Sequence, residues 1–140
     1  MQYDEVRTRE GIGMATTAGT ARPAIRRMPE PPGLPEPLPE PAVEDLRLET
    51  VFGALSGPLR LEIVRRLLLD REEFDHPCGW FGFDRPKSSL THHFKALREA
   101  GVLRQRQYGL ERRSEVRIDD LEARFPGLLD LIASAPAPGR

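Results

Sequence analysis

The chain has 140 residues, of which 39% are hydrophobic and 31% charged, and its net charge is −1. That is enough for one domain and a tail. No apolar run approaches the roughly 18 residues of a membrane span, and the charged start MQYDEVRTRE lacks the apolar core of a secretory signal. The single cysteine, Cys78, excludes an internal disulfide and a thiolate metal site of its own. A reducing cytoplasm is the expected compartment, and neither a membrane nor a cofactor is expected as a partner.

Residues 1–42 read as a disordered leader. Residues 1–22 have no period, and eight of the fourteen prolines fall in PAIRRMPEPPGLPEPLPEP, residues 23–41. Proline removes backbone donors and fixes φ, so a polyproline-like linker is expected there. Met14 and Met28 leave the translation start open. Order is expected from Val43, in a domain spanning 43–134, with a disordered tail over 135–140.

In AVEDLRLETVFGALSG the residues Leu48, Val51, Phe52 and Leu55 form a helical stripe. Gly57 and Pro58 end that helix and open the next, PLRLEIVRRLLLD, with Leu59, Ile63 and Leu67 on one face and Leu68 beside them. REEFDHPCGWFGFDRP reads as a loop with room for one short helix, its Trp80, Phe81 and Phe83 packed beneath. A helix over 87–100 follows. Leu90, Phe94 and Leu97 face the core, Lys87, Thr91, Lys95 and Arg98 lie opposite, with Ser88 and His92 beside them, and Gly101 closes it. His92 and His93 stand about 100° apart and cannot share one metal as an i, i+4 pair can. His92 joins the polar face, and His93 lies on the flank toward the core.

After Gly101 the pattern alternates. VLRQRQY and SEVRI predict two strands around a turn at Tyr108–Glu111, with Val116 and Ile118 on one side of the second strand. Arg104, Arg106, Arg112 and Arg113 fall on its tip and flanks. Leu121, Phe125, Leu128, Leu129 and Ile132 predict a last helix, split at Pro126. The fold class is therefore mainly α with a small β-hairpin (α+β), a winged helix-turn-helix.

Charge is uneven along the chain. Arg85–Arg117 carries nine basic residues against three acids, whereas Pro41–Asp75 carries eight acids against five bases. A basic stretch in a near-neutral protein points to a local polyanion-binding face. A helix end bearing Lys87, Ser88, Ser89, Thr91, His92 and Lys95 can meet base edges and phosphates in a major groove. Arg104, Arg112 and Arg113 on the wing can neutralise the backbone beside it. Double-stranded DNA is the expected partner.

SSLTHHFKALREAGVL resembles the recognition-helix signature of ArsR-type winged-helix regulators, S-x-H-L followed by x-x-L-R-x-A-G-L. LSGPLRLEIVRRLL resembles the family's L-x-x-P-x-R-x-x-I-L-x-x-L. The resemblance covers residues 44–133. It implies a homodimeric transcriptional regulator, usually a repressor, with dimer contacts from residues 44–56 and 119–133. Metal-sensing members carry C-x-C before the recognition helix or Asp/His sets on the last helix. Here only His76 and Cys78 occupy the first region and no histidine the second, so no metal site is expected. Pro86 stands where the family often has a capping serine. The alternative function is a winged-helix protein-interaction module that binds no DNA. An enzyme lacks support: there is no Ser/His/Asp set, Gly-rich phosphate loop or H-E-x-x-H motif.

Overall fold

The computed structural model describes Ile25, residues 28–70 and residues 72–136. Among these are five α-helices and a three-stranded antiparallel sheet in the order β1-β3-β2. The helices are α1 (Leu48–Leu55), α2 (Pro58–Leu69), α3 (Lys87–Glu99), α4 (Ile118–Arg124) and α5 (Leu128–Ser134). The strands are β1 (His76–Pro77), β2 (Leu103–Tyr108) and β3 (Glu111–Val116). The sheet has one strand more than the expected hairpin, because the two-residue β1 pairs His76 with Ser114 and Pro77 with Arg113.

Pro58 opens α2 at a position where a missing N–H costs nothing. Ile63, Val64 and Leu68 are buried on its inner face. Glu62 is buried too, and Arg65 and Arg66 satisfy it at 3.2 and 2.9 Å. The aromatic loop contains a single 3-10 turn, Cys78–Phe81. Phe81 is buried against Phe94 and stacks on Phe83, while Trp80 lies outside, stacked on His76 with ring centroids 3.7 Å apart.

Leu90, Phe94 and Leu97 of α3 sit in the core. Truncating a buried Phe such as Phe94 typically costs about 3–5 kcal/mol, so these anchors fix the rotational setting of α3. No side chain caps its start; the Pro86 carbonyl takes the Leu90 N–H at 3.1 Å. At its end Gly101 has φ +86°, and a Cβ there would lie 2.1 Å from Leu46 Cδ2, so only glycine fits.

The wing is tighter than expected. Its turn is Gly109–Leu110 alone, with Gly109 at φ +61°, so β3 begins at Glu111. Two-residue hairpin turns use positive φ, and glycine supplies it. Ile118, expected on the second strand, instead opens α4. Pro126 and Gly127, the latter at φ +92°, separate α4 from α5.

Residues 28–42 depart from the expected disorder. Pro37 bridges Arg106 on the open edge of β2, and the Leu38 N–H donates to the Gln105 carbonyl at 2.8 Å. The carbonyls of Pro35, Pro39 and Pro41 accept from Arg106, Arg98 and Arg117. Proline donates no N–H but keeps its carbonyl acceptor, so arginines from α3, the wing and the start of α4 can tie the segment down. Order thus starts before Val43. Residues 1–24, 26 and 27 of the expected leader and 137–140 of the expected tail lie outside the described residues.

Candidate nucleic-acid interface

With three anchors of α3 in the core, its other faces turn outward. Lys87, Ser88, Thr91, His92 and Lys95 are exposed, and Ser89 is half-buried. Thr91 and Lys87 lie on the flank facing the wing. There they line a groove of about 830 Å³, together with Cys78, Gln105, Gln107 and Arg112.

Strand alternation sorts the wing residues, because successive side chains point to opposite faces. Gln105 and Gln107 pair with Ser114 and Arg112 on the groove face. Arg104, Arg106, Arg113 and Glu115 fall on the other. Arg112 donates to Gln107 Oε1 at 3.0 Å, and Arg98 reaches from α3 to Gln105 Oε1 at 2.7 Å. These are neutral partners, and neither guanidinium bonds a carboxylate among the described residues. Burial lowers the Arg98 pKa, and repulsion from Arg112 lowers it further, against a smaller pull from Glu99. Among the described residues Lys87 and Arg112 are the cations that line the groove, and its one carboxylate, Glu111, is engaged by Arg113.

The opposite face is closed electrically. Arg104 binds Glu40 at 2.6 Å and lies 3.5 Å from Asp120; the Glu40 hydrogen bond holds its pKa above the usual arginine value despite burial. Arg106 binds Glu115 at 2.7 Å. Burial raises the Glu115 pKa, and Arg106 only partly offsets this. Arg113 is held by Asp75 at 2.6 Å, Glu73 at 2.8 Å and Glu111 at 3.0 Å. Burial opposes its charge, but these hydrogen bonds outweigh that and raise its pKa.

Of the residues expected to touch DNA, the structure therefore gathers Lys87, Ser88, Thr91, His92 and Lys95 on α3 and sets Arg112 across the groove. Ser89 sits at the flank. Arg104 and Arg113 lie in internal ion-pair networks on the far face. Their partners Glu40 and Asp75 are distant in sequence, which is why local charge could not reveal them. Arg98 and Gln107 were missed. Arg98 sits seven residues after Thr91, two turns along the same flank, and Gln107 alternates with Arg106 on β2.

His76 and Cys78 diverge. His76 is buried, with Nε2 2.7 Å from Asp70 Oδ2, and borders a separate cavity by the start of α4; Cys78 lines the wing groove. Burial raises the Cys78 pKa, against the pull of Arg112 and Lys87. Among the described residues no group of three or more His, Cys, Asp or Glu side chains could hold a metal ion. No helix among them is long and apolar enough to cross a membrane.

The chain is 33% identical over 84 residues to the uncharacterized HTH-type transcriptional regulator YceK of Bacillus subtilis (strain 168); the match spans 59% of this chain and 82% of that protein. The chain belongs to the HTH-type transcriptional regulators. No family model matches it. An ArsR-like transcriptional regulator from Rhodococcus sp. RHA1 is a structural neighbour with a TM-score of 0.44 and 26% identity, covering 54% of this chain and 70% of that one. In this chain the two segments that resemble ArsR-type motifs fall on α2 and α3, and the β2–β3 hairpin follows α3 directly.

Proposed function

We propose that this regulator is a homodimeric, sequence-specific DNA-binding repressor that acts in the cytoplasm. In this reading α3 enters the major groove. Thr91 and His92 read base edges, Ser88, Ser89 and Lys95 support that contact, and Lys87 and Arg112 bind phosphate. One observation carries the reading: the groove between α3 and the wing is lined by Lys87 and Arg112, neither of which bonds a carboxylate among the described residues, while its one acid, Glu111, is engaged by Arg113.

Dimerisation is supported by α1 and α5. Leu48, Phe52 and Leu131 remain 42%, 53% and 69% exposed, and with Phe125 and Leu128 they line one apolar groove. Covering such residues contributes roughly 1.5–3 kcal/mol for each large side chain fully buried. A two-fold axis through this face would pair the two recognition helices on successive turns of DNA.

The test is selection of bound duplexes from a randomised library by the purified protein. A palindromic site with half-sites about 10 bp apart is expected. Absence of duplex binding even at low salt would favour the protein-interaction module.

A further inference from the structure

Arg60, in the first turn of α2, reaches across to α3: its Nε donates to Nδ1 of His93 at 3.0 Å. A ring nitrogen that accepts carries no proton, so the neutral imidazole keeps its proton on Nε2. His93 is half-buried. It stands about 200° around α3 from Thr91, on the flank away from the wing. Three cationic or titratable groups face it: Arg60 from α2, Arg85 from the loop before α3, and His92 from α3 itself. Burial lowers the His93 pKa first, and Arg60, His92 and Arg85 lower it further. Among the described residues neither Arg60 nor the exposed Arg85 bonds a carboxylate.

The geometry points to a second phosphate clamp, formed by Arg60 and Arg85 as cations and by His93 as a neutral Nε2–H donor. This rests on the DNA-binding reading above. A helix seated in a major groove is flanked by a sugar–phosphate backbone on each side. The wing groove offers Lys87 and Arg112 to one backbone, and the α2 flank offers Arg60 and Arg85 to the other. The ligand is a phosphodiester oxygen in each case. Arg60 has two roles: it brings a charge, and as a positioning residue it fixes which His93 nitrogen donates.

The experiment is a salt series of binding to one random-sequence duplex long enough for two half-sites. It compares wild type with Arg112→Ala, Arg60→Gln, Arg60→Lys, Arg85→Gln and His93→Ala. Each lost phosphate contact lowers the log–log salt slope by about 0.9, so Arg60→Gln and Arg85→Gln should each lower it by about 1.8 in a dimer. Arg60→Lys keeps the charge and should keep the slope. His93→Ala should weaken binding at every salt concentration and leave the slope unchanged, which a purely structural role for His93 in holding Arg60 would not do. Arg85 is exposed, so its variant reports even where Arg60→Gln fails to fold. Wild-type slopes in Arg60→Gln and Arg85→Gln, beside a reduced slope in Arg112→Ala, overturn the clamp and leave the DNA-binding reading standing. No duplex binding by wild type at low salt overturns both.

Discussion

Arg112 and Arg113 are neighbours on β3 and turn to opposite faces of the wing: Arg112 bonds Gln107 over the groove, and Arg113 binds Asp75 beneath the β1 loop. The two should therefore respond differently to replacement. Arg112→Ala should weaken operator and random duplexes alike and lower the salt slope by about 0.9 per half-site, with little change in melting. Arg113→Ala should leave the slope unchanged. It strips a charged partner from Asp75, whose side chain is largely buried, and should cost roughly 1.5–3 kcal/mol of stability, read by urea unfolding. Tyr108 keeps its hydrogen bond to Asp75 at 2.7 Å in that variant and limits the loss.

Glu40 ties the proline strand to the wing. It accepts from Arg104 Nε and Nη2 and lies 3.6 Å from Arg117, which is buried. Glu40→Gln should lower stability by about 1.5–3 kcal/mol, the range for hydrogen bonds to a charged group. Limited proteolysis should then cut within residues 28–42 faster than in wild type. Equal cutting rates would show that the carbonyl contacts alone hold the strand.

Asp70 should set part of the acid sensitivity. Burial opposes its charge, but the Glu73 N–H, His76 and the Glu72 N–H outweigh that and hold its pKa below the ordinary value. An aspartate near 3.9 in the unfolded chain thus contributes stability that is present above that pH. The contribution is lost as pH falls through the lower folded value. Asp70→Asn should be less stable at neutral pH, and its stability should fall less steeply between pH 5 and pH 2, roughly the span of carboxylate titration. Parallel pH profiles for the two proteins would contradict this.

Much of the fold was legible because burial leaves a periodic trace. The stripe Leu90, Phe94 and Leu97, the Gly57–Pro58 break and the Pro126 interruption each reflect a local constraint. The proline strand was not legible, because its order depends on Arg98, Arg104, Arg106 and Arg117, all distant in sequence. The α1 stripe was half right: Val51 and Leu55 are buried, whereas Leu48 and Phe52 face outward. Periodicity marks an apolar side chain without saying whether this chain or another covers it. At the site, the helix residues could be assigned from three core anchors. The wing arginines could not, since strand alternation separates Arg112 from Arg113 only once the register is known.

In the proposed function α3 reads bases while the groove cations hold phosphate. The most direct test is the affinity of wild type, Thr91→Ala and His92→Ala for the selected operator and for a scrambled duplex at one salt concentration. Each helix variant should lose about 1–3 kcal/mol per half-site on the operator and little on the scrambled duplex. Equal losses on both duplexes, or wild-type affinity that does not distinguish operator from scrambled DNA, would rule out base reading by α3.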